Sequence, residues 1–205
     1  MTEAELTRDD LGGGFFLYQP KRGYRFGEDA VCLAAFPPLR PGMTVLDLGC
    51  GCGAVTLLLA KREPGLILYG LELRERPAAL AARNVSANGV KARIIRGDAM
   101  NAAALFPKGS FDLVVTNPPY YPAGRCRPPR DEDAAAAKTE RFWDPAKALT
   151  EAAAVLKTGG ALFMSHLAQR EGEMTALARE AGLTPARRET PLNGRVLLEF
   201  TRTGA

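Results

Sequence analysis

The chain has 205 residues, a length that suits a single domain with one hydrophobic core. Hydrophobic residues make up 46% of it and charged residues 24%, as is typical of soluble globular proteins. Its longest apolar stretches fall well short of the roughly 20 residues that a membrane span needs. The net charge of +4 and a pI near 9.0 are compatible with a polyanionic partner but do not identify one.

The N-terminal residues and the cysteines exclude two further classes. The first 13 residues, MTEAELTRDDLGG, are acidic and polar and lack the layout of a signal peptide, so we expect a cytoplasmic protein. Of four cysteines, Cys50 and Cys52 lie in a glycine-rich turn, far in sequence from the single His166. Neither the spacing nor the supply of ligands suits zinc, which predicts reduced thiols and no metal site. The short apolar stretches predict no membrane association.

In chain order, a short apolar helix is predicted first, and strands then alternate with helices. That first helix covers Ala30 to Phe36, and Phe26-Gly27-Glu28-Asp29 leads into it, so that Asp29 could act as its N-cap. Alternating strand and helix patterns favour βαβ units around a parallel sheet. The seven predicted strands cover residues 43–48, 67–73, 92–95, 111–116, 161–165, 184–189 and 195–201. A helix beginning at Asp144-Pro145 is expected to end at Gly159-Gly160.

The first strand leads into a glycine-rich turn, Asp47-Leu48-Gly49-Cys50-Gly51-Cys52-Gly53, that is followed by a helical stretch. Glycines allow a sharp turn and a close approach of the backbone to a ligand, and the helix amides can donate to it. The spacing also resembles a dinucleotide fingerprint, although Gly53 comes one residue early for it. Asp47 would repel a pyrophosphate but can accept hydrogen bonds from the ammonium of a methionine moiety. The turn therefore favours S-adenosylmethionine, with Gly49, Gly51 and Gly53 as backbone contacts.

Two further acids follow the next two strands. Glu72 ends the second strand and is placed to accept hydrogen bonds from both ribose hydroxyls, and Asp98 follows the third strand and is placed to accept from the adenine amino group. Either acid alone could be a solvated strand end. Three acids at successive strand ends on one sheet edge favour a cofactor site.

These motifs resemble the motif set of class I S-adenosylmethionine-dependent methyltransferases over residues 24–165. The resemblance implies an α/β fold: a single Rossmann-like domain with a mostly parallel seven-stranded sheet, helices on both faces and a C-terminal antiparallel hairpin. It implies that residues 1–36 form an N-terminal segment with a helix that covers the cofactor, and that residues 37–205 form the methyltransferase domain. In that arrangement Asp29 would be a further cofactor ligand.

Asn117-Pro118-Pro119-Tyr120-Tyr121 follows the fourth strand. An exocyclic amino group on a π system is a poor nucleophile because its lone pair is delocalised. The Asn117 side-chain oxygen and the Pro118 carbonyl can each accept one N–H from it, and the two prolines fix the direction of that carbonyl. Tyr120 offers a flat face for stacking. We therefore expect catalysis by Asn117, Pro118 and Tyr120, a cofactor contact from Asn117, and substrate contacts from Pro119 and Tyr121.

The loop after this motif carries Arg125, Arg127 and Arg130, which could contact the phosphates of a nucleic acid. A solvated loop whose charges nearly cancel is the alternative interpretation.

Asn117 to Tyr121, Phe26 to Asp29 and the last strand together resemble a bacterial family of tRNA(Val) adenine-N6-methyltransferases. This resemblance implies a tRNA partner and methylation of adenine N6. Three alternatives stay open: N5-methylation of a glutamine in a peptide release factor, N2-methylation of guanine in rRNA, and a non-catalytic RNA scaffold that binds the cofactor. Release-factor enzymes usually carry an N-terminal helical domain, and Asp47 comes too early for one. The oligomeric state is left open.

Overall fold

A computed structural model describes residues 3–22, 25–121 and 143–204. In these ranges the strands are β1 (Leu6–Gly12), β2 (Phe15–Pro20), β3 (Thr44–Leu48), β4 (Ile67–Glu72), β5 (Ala92–Arg96), β6 (Phe111–Thr116), β7 (Leu156–Leu167), β8 (Leu183–Glu189) and β9 (Arg195–Arg202). The helices are α1 (Glu28–Ala35), α2 (Ala54–Arg62), α3 (Glu75–Ala87), α4 (Ala102–Leu105), α5 (Pro145–Val155) and α6 (Glu171–Glu180). Single turns of 3-10 helix lie at Glu3–Glu5, Ala99–Asn101 and Ala168–Arg170.

Seven strands form one sheet in the order β5-β4-β3-β6-β7-β9-β8. The pairings from β5 to β7 are parallel, whereas β9 runs antiparallel to both β7 and β8. The predicted fold class, a Rossmann-like sheet that closes with an antiparallel hairpin, is confirmed. The chain leaves β3 first towards β4 and later returns beside it as β6. Parallel sheets bind ligands outside the carboxyl ends of strands at such a reversal of strand order.

The sheet has a hydrophobic core on each face because successive side chains of a strand point to opposite sides. On β6, Val114 packs into a cluster with α4, α5 and α6, while Leu113 and Val115 pack into a second cluster with α1 and α2. Alternate residues of β7 divide in the same way, with Leu162 in the first cluster and Phe163 in the second. Burial on both faces holds the strand ends in fixed relative positions.

Helix α5 begins as predicted but ends earlier. The Asp144 side chain accepts hydrogen bonds from the amides of residues 146 and 147, and Pro145 is the first helical residue. The predicted stop at Gly159-Gly160 is wrong, because the helix ends at Val155 and β7 begins at once. Leu156 is fully buried and pairs with Phe111. The glycines lie in an irregular part of β7, where a Cβ on Gly160 would come within 2.9 Å of the Asp112 carbonyl oxygen.

An N-terminal hairpin, formed by β1 and β2, precedes the sheet domain, and the sequence patterns did not predict it. Two asparagines one turn apart on α3 hold its second strand. The Asn84 amide exchanges two hydrogen bonds with the backbone of Tyr18, and the Asn88 amide exchanges two with the backbone of Phe16. These side chains satisfy backbone groups that a neighbouring strand would otherwise satisfy. Leu17, between the two pairs, is fully buried.

No helix in residues 3–22, 25–121 or 143–204 is long and apolar enough to cross a membrane.

The helix predicted to cover the cofactor is α1, which packs on α2 and β7. At its end the ring of Phe36 meets that of Phe163 edge to face, with 5.5 Å between centroids.

Candidate active site

A pocket of about 930 Å³, including its mouth, lies at the carboxyl ends of β3, β4, β5 and β6. Six of the residues predicted to bind the cofactor line it: Asp47, Gly49, Gly51, Glu72, Asp98 and Asn117. Apolar and aromatic side chains complete the wall, among them Phe26, Val55, Leu71, Leu73 and Trp143. Such a mixture of apolar wall with few polar groups is usual for a small-molecule site.

The glycine-rich turn has a backbone that only glycine adopts readily. Gly49, Gly51 and Gly53 have φ values of 79°, 55° and 84°, in the left-handed region. A Cβ on Gly49 would come within 3.3 Å of the Trp143 ring, and one on Gly53 within 3.2 Å of the Ala81 Cβ. Gly49 and Gly51 line the pocket, and a side chain on Gly49 would crowd the Trp143 ring that lines it too. Gly53 is absent from the pocket lining and allows α2 to approach α3 closely.

Asp47 is almost completely buried at the pocket wall, with 2% of its surface exposed. The Thr56 hydroxyl donates a hydrogen bond of 2.6 Å to it. Burial raises the pKa of its carboxyl to about 7, and the charge of Glu72 adds to that shift. A cation in the pocket would favour the ionised form. The site therefore fits the ammonium of a methionine moiety.

Glu72 connects the glycine-rich turn to the end of β4. Its Oε2 accepts a hydrogen bond of 3.0 Å from the Gly51 amide, and its Oε1 accepts one of 3.0 Å from the Arg74 amide. An ionised carboxylate can accept about four hydrogen bonds. Glu72 thus positions the turn and lines the pocket, where it can also meet hydroxyl groups.

Asp98 serves as the cap of a 3-10 turn and also lies on the pocket wall. It accepts hydrogen bonds from the Met100 amide at 2.9 Å and from the Asn101 side chain at 3.3 Å. Asp98 therefore has a structural role at the end of its strand, as the alternative interpretation proposed. Its place on the pocket wall is also compatible with the predicted contact to the cofactor.

The predicted catalytic motif borders both this pocket and a second cavity. Pro118 lines both, Pro119 lines the first, and Tyr121 is 38% exposed at the second. The second cavity is open and carries charges of both signs; its lining is Arg25, Gly27, Glu28, Asp29, Pro118, Tyr120, Tyr121, Leu192, Asn193 and Arg195. A substrate group in this cavity would meet the motif at Pro118, which also borders the first pocket.

Asp29, predicted to be a cofactor ligand, lines the second cavity and not the first. Its Oδ2 accepts a hydrogen bond of 2.6 Å from the Tyr120 hydroxyl, and its Oδ1 contacts the Ala30 amide at 2.9 Å. The alternative interpretation of Asp29 as an N-cap is wrong, because Gly27 is the N-cap of α1 and Asp29 is the second residue of the helix. Through the Tyr120 hydroxyl, Asp29 contacts the predicted catalytic motif.

Tyr120 is buried, with 9% of its surface exposed. The Arg195 guanidinium lies over its ring, 4.7 Å from the centroid, and His166 meets the ring at 66° with 5.4 Å between centroids. One face of the ring that was predicted to stack thus already has an arginine over it, and a substrate that stacks on this face would need Arg195 to move.

Ser165 and His166 lie beside the motif, and the sequence analysis did not assign them to the site. The Ser165 hydroxyl lies 2.5 Å from Asn117 Oδ1 and 2.9 Å from the Tyr120 hydroxyl oxygen. Burial first, and then the charge of Arg170, lower the pKa of His166 to about 4, so it is a neutral imidazole at neutral pH. Their only signal was their place at the end of a predicted strand of a parallel sheet.

The cysteines and the loop arginines have no shown role in this geometry. Cys50 and Cys52 are free thiols, and burial raises the pKa of Cys52 to about 12. In residues 3–22, 25–121 and 143–204, no group of three His, Cys, Asp or Glu side chains could hold a metal ion. Arg125, Arg127 and Arg130, predicted to contact phosphate, lie outside the described residues.

Comparison with known proteins identifies relatives of the whole pocket region. The profile of a family described as "Methyltransferase small domain" matches residues 30–182. The chain is 36% identical over 187 residues to a 4-amino-L-phenylalanine/4-methylamino-L-phenylalanine methyltransferase of Streptomyces pristinaespiralis, covering 85% of this chain and 61% of that protein. It is also 36% identical over 129 residues to a tRNA1(Val) (adenine(37)-N6)-methyltransferase of Proteus mirabilis, covering 61% of this chain and 51% of that protein.

The solved structures show the same fold. A 16S rRNA N2-guanine methyltransferase of Thermus thermophilus, in complex with AdoMet and guanosine, superposes with a TM-score of 0.69 at 22% identity, covering 96% of this chain and 50% of that one. The chain spans about half to three-fifths of the length of the curated relatives above. The resemblance predicted from the sequence is confirmed, and the cofactor that goes with it is S-adenosylmethionine.

Proposed function

The chain belongs to the methyltransferase small domain family, and from this premise we propose that it transfers a methyl group from S-adenosylmethionine to an exocyclic amino nitrogen of a planar group. The observation that carries the proposal is the position of the Asn117 to Tyr120 motif, with Pro118 on the wall of both cavities. A nitrogen held there lies between the cofactor pocket and the open cavity.

The residues of the first pocket fit S-adenosylmethionine group by group. Asp47 would hold the ammonium, Glu72 the ribose hydroxyls, and Asp98 the adenine amino group, between the apolar walls. When bound, the cofactor supplies an electrophilic methyl group on a sulfonium. The remaining requirement is a nucleophile with a free lone pair.

Asn117 and Pro118 would meet that requirement. Two acceptors, the Asn117 side-chain oxygen and the Pro118 carbonyl, would take the two N–H groups of the substrate and turn its lone pair towards the first pocket. The amino proton becomes acidic as the nitrogen takes up the methyl group, so no strong base is needed. Neutral His166 touches the Tyr120 ring and is not required as a base.

Adenine N6 in tRNA is the substrate that we propose first. It is supported by the relatives named for that reaction, at 34–36% identity over 124 or more residues, and by the net charge of +4. Polyanions attract such a protein through its lysines and arginines. Glutamine N5 in a release factor and guanine N2 in rRNA offer the same conjugated amino group and are outcomes of the test below.

A free aromatic amine is a second candidate. The match to the Streptomyces 4-amino-L-phenylalanine enzyme covers more of this chain than the match to the Proteus tRNA enzyme, 85% against 61%. The second cavity also carries arginines and carboxylates, including Arg25, Arg195, Glu28 and Asp29. A zwitterionic amino acid with an aniline nitrogen could place its two charges there.

One experiment with parallel reactions separates these candidates. The protein is incubated with labelled S-adenosylmethionine and, in separate reactions, bulk tRNA, rRNA, 4-aminophenylalanine or a release-factor domain. We expect N6-methyladenosine in the digest of the tRNA. Transfer only to the free amine would replace tRNA by the second candidate, and transfer to none of them would contradict the proposed reaction.

A further inference from the structure

The Asn117 carboxamide forms part of a cluster of four polar groups. Its Oδ1 lies 2.5 Å from both the Tyr120 hydroxyl and the Ser165 hydroxyl. These two hydroxyls lie 2.9 Å apart, and the Tyr120 hydroxyl lies 2.6 Å from Asp29 Oδ2. Ser165 is fully buried and Tyr120 nearly so. The cluster therefore has four contacts that need one proton each.

In this orientation of the amide the protons do not suffice. Tyr120 and Ser165 each supply one, while the Asn117 oxygen and the Asp29 carboxylate can only accept. Two protons cannot fill four contacts, and buried acceptors facing each other are costly. The Asn117 oxygen, which faces both hydroxyls, is also unable to take a substrate proton in this orientation.

A half-turn of the Asn117 amide resolves both problems, because its oxygen and nitrogen exchange places with almost no change of shape. The NH2 group then donates to Tyr120 and Ser165, Tyr120 donates to Asp29, and Ser165 donates to Tyr120. Four protons fill four contacts. The amide oxygen then points away from the hydroxyls and is free to accept from a substrate.

We propose that Asp29, Tyr120 and Ser165 are positioning residues that hold the Asn117 amide with its oxygen available to the substrate amine. Asp29 directs the whole cluster, because its carboxylate takes the Tyr120 proton and so requires a donor from Asn117. This inference rests on the proposed function for the role of Asn117 and extends it to Asp29 and Ser165. It also assigns Asp29 to the substrate side of the motif instead of to the cofactor.

Asp29→Asn is the sharpest test, since it keeps the shape and the contact to the Ala30 amide. The new amide would donate to the Tyr120 oxygen, which frees the Tyr120 proton for Asn117 Oδ1 and stabilises the blocked orientation. We expect turnover to fall about 10- to 100-fold, the range for groups that orient a functional side chain. Cofactor affinity should change by less than about twofold, because Asp29 does not line the cofactor pocket. The melting temperature should change by less than about two degrees.

Two matched variants complete the set. Asp10→Asn makes the same charge change in the hairpin turn, where Asp10 accepts only a local amide, and should leave turnover unchanged. Ser165→Ala removes one acceptor and should lower turnover about tenfold. Ser110→Ala is the matched control, because the Ser110 hydroxyl oxygen is buried and has no hydrogen-bond partner among the described residues. This variant should not lower turnover.

A measurement without substrate keeps this inference separate from the proposed reaction. In protein labelled with 15N-asparagine, the side-chain NH2 signal of Asn117 is assigned by its loss in Asn117→Ser. We expect its protons to exchange slowly with solvent in the wild type and at least tenfold faster in Asp29→Asn. Unchanged exchange and unchanged turnover in Asp29→Asn would overturn the proposal. Weaker cofactor binding in Asp29→Asn would also overturn it and restore the cofactor role.

Discussion

Asp47 and Glu72 lie on one pocket wall, and less than a tenth of either side chain is exposed. Burial and the charge of Glu72 keep the pKa of Asp47 near 7, well above the ordinary 3.8. Without a cation beside it, Asp47 is thus partly protonated at neutral pH. A bound ammonium group would lower that pKa and expel the proton.

This gives a pH dependence with a defined sign. Below pH 7 cofactor binding must remove a proton from Asp47, so affinity should rise up to about tenfold for each unit between pH 5.5 and 7. Titration calorimetry in buffers of different ionisation enthalpy should detect release of close to one proton at pH 6. Asp47→Asn should remove both the proton release and the pH dependence. A wild-type affinity that is flat over this range would exclude Asp47 as the partner of the ammonium.

Asn117 should separate binding from chemistry. Asn117→Ala is expected to lower turnover by roughly two to three orders of magnitude, because the lost oxygen acts on the nucleophile. Cofactor affinity should change by less than about threefold, since most polar groups of the pocket remain. Single-turnover rates at saturating cofactor check this. Near-normal rates would mean that the motif is only a turn.

At the scale of elements, the hairpin is attached to the sheet domain by α3. Asn84 is fully buried, and its amide also donates a hydrogen bond of 2.9 Å to the Cys52 carbonyl oxygen, inside the glycine-rich turn. One side chain therefore holds both β2 and the cofactor turn. Asn88 makes the same kind of pair with β2 from a more exposed position.

Asn84→Ala should therefore cost more stability than Asn88→Ala. The first leaves three backbone groups without partners and is expected to lower the free energy of unfolding by about 2–4 kcal/mol, against about 1 kcal/mol for the second. Urea denaturation of both variants gives the comparison. Equal losses would show that the contact to the Cys52 carbonyl contributes nothing.

How much of this could be predicted from the sequence depended on whether the cause was local. Strand β6 could be predicted from its apolar run. Glu72 and Asp98 could be predicted from their places at the ends of β4 and β5, because neighbouring parallel strands finish at one edge of a sheet. The predicted end of α5 was wrong because Leu156 pairs with Phe111, which lies 45 positions earlier in the chain, and so belongs to the sheet. The attachment of the hairpin to α3 and the contacts of Ser165 were missed for the same reason, because Tyr18 lies 66 positions from Asn84 and Ser165 lies 48 positions from Asn117.

For the whole molecule, the tRNA proposal predicts a salt dependence. Each arginine or lysine that neutralises a phosphate releases counterions, so tRNA affinity should fall steeply with salt. Arg127→Ala should weaken binding and make the logarithmic slope shallower by about one unit. Arg188→Ala is the matched control, because Arg188 lies on β8, at one edge of the sheet, and forms an ion pair with Glu171. Binding that is absent or flat with salt would remove the nucleic acid from the account.

The central claim is methyl transfer to nitrogen, and the chemical identity of the new bond tests it most directly. The protein is given S-adenosylmethionine with a 13C-labelled methyl group and the acceptor that it methylates, and the product is examined by NMR and mass spectrometry. The account predicts a methyl group on an exocyclic nitrogen, formed by the wild type and at most a hundredth as fast by Asn117→Ala. A methyl group on oxygen, carbon or sulfur, or equal rates for the two proteins, would contradict it.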